Sequence, residues 1–133
     1  MTITCDTSVL VAGLASWHEG HEQARAALRD VSIIGAHVLT ETYSVLTRLP
    51  EGMRIDARSA GAALTSLRWD VVGLPAEDRV AGILRFADAG ISGGAVYDAV
   101  VAATAQHHGL TLLSRDRRAK RTYDALGVDY RMV

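Results

Sequence analysis

"TITCDTSVLVAGL" (residues 2–14) is the stretch whose reading decides the fold. Residues 2–5 form a short apolar run of strand character, and "SVLVAGLA" (8–15) continues as an apolar helix. Between them stand one carboxylate, Asp6, and two hydroxyl residues, Thr7 and Ser8, either of which can cap the helix. A carboxylate wedged between two core segments is costly to desolvate unless something partners it.

Outward from that stretch, the chain alternates. "EGHEQARAALRD" (19–30) reads as an amphipathic helix, "SIIGA" (32–36) as a second strand, and "LTETYSVLTRL" (39–49) as a helix stopped before Pro50. A helix over 56–67 precedes a third strand, "WDVVGL" (69–74), and two more helices cover 76–89 and 93–109, the second ending on Gly109. "LTLLS" (110–114) reads as a fourth strand, "RDRRAKRTYDAL" (115–126) as a helix, and "VDYRM" (128–132) as a last short strand. Strands alternating with helices imply parallel pairing through right-handed crossovers, hence an α/β/α sandwich of three layers around a central parallel sheet. No repeat or linker divides the chain, so residues 1–133 are expected to form one domain.

In such sheets ligands bind beyond the carboxyl ends of the strands. Asp6 follows the first strand there and Asp116 follows the fourth. Glu41 is expected in the first turn of the helix after the second strand, on the same rim. Asp98, in "AVYDAVVAATA", stands among apolar neighbours with no Lys or Arg in either adjacent turn, and is expected to be buried. Taken singly, Asp6 and Asp116 also suit helix caps, and Glu41 suits a first-turn acid favoured by the helix dipole. Taken together they repel. Two carboxylates about 4 Å apart cost about 4 kcal/mol at an effective dielectric of 20. A divalent cation removes that penalty, and hard oxygen donors suit Mg²⁺ or Mn²⁺. Near a phosphodiester, such an ion serves hydrolysis.

Composition narrows the class. With 49% hydrophobic and 22% charged residues the chain reads as globular, and no apolar run approaches a membrane span. The start lacks a basic, cleavable leader, and the one cysteine, Cys5, excludes an internal disulfide, so a cytoplasmic location is expected. A net charge of −1 gives no global argument for nucleic acid. Locally, "RDRRAKR" (115–121) gathers Arg115, Arg117, Arg118, Lys120 and Arg121, which suits either a solvated helix face or bidentate phosphate contact. A receiver domain would need a second acid beside Asp6 and a late lysine at a strand end, but the sole lysine, Lys120, lies within the last helical stretch. A haloacid-dehalogenase phosphatase would need an acid where Ser8 stands.

Four segments, "DTSVLVAGL", "AHVLTETYSVLTRLP", "GISGGAVYDAVVAATAQHHGLTLLSRDRR" and "YDALGVDY", resemble the PIN-domain ribonucleases, and most closely the VapC toxins of bacterial toxin–antitoxin pairs. The resemblance runs over most of the chain and is weakest between residues 51 and 75. It implies a PIN-like α/β/α fold and an Mg²⁺- or Mn²⁺-dependent acidic site of Asp6, Glu41, Asp98 and Asp116. Asp6, Asp98 and Asp116 would hold the metal. The implied activity is an endoribonuclease toxin of a type II pair that inhibits translation and growth, leaving a 5′-phosphate and a 3′-hydroxyl. Ser8 and Ser114 would contact metal-bound water or phosphate, and Arg115, Arg117 and Arg118 the RNA backbone. The implied partners are RNA, a cognate VapB-like antitoxin and a second copy in a homodimer. The antitoxin groove would lie between helices 19–30 and 56–67, near Trp17 and Trp69. A metal-dependent domain that binds RNA or a partner without cutting it is the alternative.

Overall fold

The computed structural model describes residues 1–133 as seven helices and five strands. The strands are β1 (Ile3–Cys5), β2 (Ile33–Gly35), β3 (Asp70–Val72), β4 (Thr111–Ser114) and β5 (Tyr130–Met132). The helices are α1 (Thr7–Leu14), α2 (His21–Leu28), α3 (Ala36–Thr47), α4 (Ala57–Thr65), α5 (Ala76–Asp88), α6 (Ala95–His107) and α7 (Lys120–Leu126).

Every strand pairing is parallel. The expected single sheet is built as two ladders, β1-β4-β5 and β2-β3, joined through an isolated bridge between Ile3 and Val31. Strands of three or four residues leave little overlap for a longer ladder. Read through the bridge, the order is β3-β2-β1-β4-β5. The chain therefore winds one way from β1 to β3, then crosses back to β4 on the other side of β1. Right-handed crossovers place the first helices on one face and the later ones on the opposite face. Packing agrees: α1 lies against α2 and α3, and α3 against α4, whereas α6 lies against α5 and α7 and makes a smaller contact with α3.

The reversal makes a crevice between the carboxyl ends of β1 and β4, the switch point at which such sheets bind ligands. The core holds it rigid. Cys5, Val9, Leu10, Ala12, Leu112 and Tyr123 are all fully buried, and α6 buries an unbroken run from Ala99 to Ala105. A helix hidden along that length has no polar face to spare, so it works as a central strut.

Two boundaries differ from the sequence reading in ways that matter for the site. Helix α3 starts at Ala36 without a side-chain cap, so Glu41 stands in its second turn, not its first. Residues 115–119 form a turn, not helix, and α7 begins only at Lys120. The Asp116 side chain accepts the Arg118 N–H at 2.9 Å, a local bond that competes with helix formation.

The helices expected to flank an antitoxin groove, α2 and α4, pack on α1 and α3 respectively. Trp69 packs against the core, whereas Trp17 stays 46% exposed.

Candidate active site

The backbone brings the first two acids together. Cys5 pairs with Leu113, and the Asp6 N–H donates to the Leu113 carbonyl at 3.0 Å, so Asp6 leaves β1 alongside Ser114. Asp6 has extended dihedrals and is itself the N-cap of α1, a role the sequence reading gave to Thr7 or Ser8. Its Oδ1 accepts from Ser8 N at 3.0 Å, from Val9 N at 3.4 Å and from the Ser8 hydroxyl. Its Oδ2 accepts from the Tyr123 hydroxyl at 2.7 Å. Burial pushes the Asp6 carboxyl above its ordinary range, and the Ser114, Ser8 and Tyr123 hydroxyls oppose that rise. Burial and the Asp6 charge push the Tyr123 phenol up as well, so it remains a donor.

Asp6, Glu41, Asp98 and Asp116 all line one cleft of about 480 Å³ at the switch point. Asp98 is half-buried at the first turn of α6, not enclosed as expected, because the helix N-terminus opens onto the cleft. It accepts no hydrogen bond from the protein, unlike Asp6 and Asp116. Its carboxyl is pushed up from 3.8 to about 6, first by burial and then by the charges of Asp116, Glu41 and Asp6. A helix N-terminus favours a carboxylate by only about 0.3–1 kcal/mol, so crowding wins. Glu41 goes the other way. Its carboxyl is held low chiefly by His37, whose Nε2 lies 3.2 Å from Glu41 Oε2, with Thr7 and Arg48 contributing. Neither the His37 Nε2 nor the Thr7 hydroxyl, which lines the cleft, meets a partner in full hydrogen-bond geometry.

The donor set fits a hard divalent cation: four carboxylates, one of them unpartnered and destabilised by the other three. They share the cleft, but no three of them close into a ready-made set of metal ligands.

The hydroxyl and arginine residues divide. Ser8 lines the cleft, with its hydroxyl donating to Asp6 and accepting from Arg115 N at 2.8 Å. Ser114 is fully buried and its hydroxyl accepts from Asp116 N at 3.1 Å. The substrate contact expected of Ser114 is therefore corrected: it positions the turn that carries Asp116. Arg115 and Arg118 line the cleft, but Arg117 is exposed outside it. Gly20 lets Arg115 reach its place, since a Cβ there would collide with the guanidinium.

Sequence reasoning missed four residues: Tyr123 beneath Asp6, and Glu19, His18 and Arg48 on the cleft wall. Arg48 and Glu19 carry the right charge classes, but nothing local ties them to the rim. Asp6 and Tyr123 are 117 positions apart. Of the histidines at 18 and 21, His18 Nδ1 accepts from Gly20 N and His21 Nδ1 meets the Ala12 carbonyl.

The strand order and the cleft define a doubly wound α/β protein with an acid-lined site at its switch point. The PIN domain family matches residues 3–125, and the chain belongs to it. The chain is 47% identical over 133 residues to ribonuclease VapC40 of Mycobacterium tuberculosis, with 98% of each sequence covered. Among solved structures it resembles VapC20 of the same organism, a toxin that cleaves the sarcin-ricin loop, with a TM-score of 0.67 at 21% identity. That match covers 91% of this chain and 95% of VapC20. It also resembles VapBC2 of Rickettsia felis bound to a promoter DNA fragment, with a TM-score of 0.69 at 13% identity and 100% and 99% coverage. At such identities these two structures speak for the fold alone. No helix is long and apolar enough to cross a membrane.

Proposed function

We propose that residues 1–133 form one PIN domain acting as a divalent-metal-dependent endoribonuclease, the toxin of a type II toxin–antitoxin pair. The observation that carries this reading is the convergence of four acids at the switch point, with Asp98 unpartnered and pushed up to about 6 by its neighbours. The 47% identity to a named ribonuclease supports the activity, and divalent-metal dependence is general in the family. Asp6, Asp98 and Asp116 would hold Mg²⁺, or Mn²⁺ in its place. The bound ion supplies charge stabilisation at the phosphate and a water of lowered pKa.

The chain's own residues do the rest. Tyr123 and Ser8 fix the Asp6 carboxylate, Ser114 fixes the turn of Asp116, and Glu41 orients the attacking water. Arg115 and Arg118 hold the RNA backbone beside the acids. Attack in line on phosphorus leaves a 5′-phosphate and a 3′-hydroxyl. Cleaving cellular RNA in the cytoplasm inhibits translation and growth until a VapB-like antitoxin covers the cleft, a basic side chain of the antitoxin meeting the acids.

Purified protein incubated with total RNA should release fragments in Mg²⁺ or Mn²⁺ and none after EDTA. Binding of RNA without any EDTA-sensitive cleavage would favour the non-catalytic alternative instead.

Pairing with a second copy has a surface on α5. Ala76, Val80, Ile83 and Ala87 recur at the four-three-four spacing of a helix seam. Val80, Ile83 and the flanking Leu84 are 70%, 63% and 73% exposed. The seam reads the same in both directions about the Ala81–Gly82 midpoint, so a two-fold antiparallel crossing sets Ala76 against Ala87 and Val80 against Ile83. Such self-complementarity is what an isologous interface requires. Ile83→Asp should convert a dimer to a monomer in size-exclusion chromatography with light scattering, while its far-UV circular dichroism matches wild type. A monomeric wild type would remove this interface.

A further inference from the structure

We propose that the stacked His37–Tyr97 pair is a platform that receives an unpaired nucleobase of the RNA strand entering the acidic cleft. The inference deepens the nuclease reading and rests on it for the identity of the ligand as RNA.

Tyr97 stands in the first turn of α6, immediately before Asp98, and is 58% exposed. Its ring lies parallel to His37, with centroids 5.7 Å apart and an interplanar angle of 5°. Both rings are tied to acids of the site. Tyr97 precedes Asp98 in the chain, and His37 Nε2 lies 3.2 Å from Glu41 Oε2. The pair therefore spans α3 and α6, the two helices that deliver Glu41 and Asp98. Neither ring lines the cleft itself; the pair flanks it through the contact of His37 with Glu41.

Packing does not explain the ring. Tyr97 keeps most of its surface in water and its hydroxyl makes no hydrogen bond within the protein, whereas Tyr123 is fully buried and bonded to Asp6. An aromatic held flat by a stacked neighbour, yet open to solvent, offers a rigid π-face. Single-stranded nucleic acid uses such faces, because every base can stack on an aromatic ring. Arg48, Arg115 and Arg118 on the cleft wall offer charge to the RNA backbone, and Tyr97 adds an aromatic face for a base. Stacking also selects against duplex, whose bases are already occupied. The substrate class thus narrows to RNA with an unpaired base beside the scissile bond.

The test uses a single-stranded RNA octamer carrying one 2-aminopurine, whose fluorescence is quenched on stacking, titrated at low salt in EDTA so that it stays uncut. Wild type should quench the probe. Tyr97→Ala should bind roughly 5–150-fold more weakly, the factor one stacked base is worth, and Tyr97→Phe should bind as wild type does. An octamer with an abasic site at the probe position should bind wild type and Tyr97→Ala equally. A purely structural role for Tyr97 would weaken both octamers alike. That result, unchanged binding by Tyr97→Ala, or no quenching by wild type would overturn the platform. Cleavage in Mg²⁺ separates the two readings. RNA cut at wild-type kcat/KM by Tyr97→Ala leaves the nuclease and removes the platform. Tyr97-dependent quenching with no cleavage of any RNA leaves the platform and removes the nuclease.

Discussion

Asp98→Asn should abolish cleavage and, at the same time, raise the melting temperature of the metal-free protein. The activity loss is expected at about 10³-fold or more, equivalent to about 4 kcal/mol at the transition state. The stability gain follows from the direction of the Asp98 shift. Its folded-state carboxyl is pushed up from 3.8 to about 6, so ionising it costs the folded protein free energy. Between those values the folded state holds a proton that the unfolded chain has released, and stability falls as pH rises through the window. A rise of this size corresponds to about 3 kcal/mol in full. Solvent screening at a half-buried group reduces it to about 1 kcal/mol, or about 4 °C in a chain of this length. At pH 7.5 the variant should therefore melt above wild type, and by pH 4 the difference should vanish. Adding Mg²⁺ should reverse the order, because a ligand that binds only the folded wild type stabilises it by mass action. Thermal melts at three pH values, with and without Mg²⁺, decide the matter. A variant that still cleaves, or one that melts below wild type at pH 7.5, contradicts the cation site.

How much of this was legible beforehand depends on the kind of information each feature carries. The alternation of strands and helices was legible, since each apolar run in the sequence has a period and a length. The placing of Asp6 and Asp116 on one rim was legible too, because a parallel sheet points all its strand ends the same way. Glu41 came out one turn too early because α3 starts at Ala36 behind Gly35, with no capping side chain to mark the start. Asp98 was expected to be buried because its neighbours are apolar, yet burial of Ala99 to Ala105 begins only one residue later. The turn at 115–119 was missed because the Asp116 bond to the Arg118 N–H is a choice between two local structures that composition does not decide. Tyr123 could not be found at all. Its bond to Asp6 exists only once β4 lies beside β1 and α7 packs back against them.

That buried bond sets the second large effect apart from the first. Asp6→Ala should also abolish cleavage, but it should lower the melting temperature where Asp98→Asn raises it. Asp6 is 5% exposed and accepts four hydrogen bonds, two of them from the first N–H groups of α1. Losing a side-chain cap costs about 1 kcal/mol. Leaving the buried Tyr123 hydroxyl without an acceptor costs about 1–3 kcal/mol more. Against this stands relief of a carboxylate whose burial raises its pKa, and the hydroxyls that surround it have already offset part of that cost. The net is a loss of about 2 kcal/mol near neutral pH, or about 7 °C. Because the Asp6 carboxyl is shifted upward, wild type gains stability as pH falls through its folded-state value, whereas the alanine variant has nothing there to titrate. The deficit should therefore widen on acidification. Two neighbouring acids with the same effect on cleavage and opposite effects on folding would show that hydrogen bonding, not charge alone, separates the anchored carboxylate from the strained one. Equal melting of Asp6→Ala and wild type would deny Asp6 its structural part, and retained cleavage would deny it any place in the site.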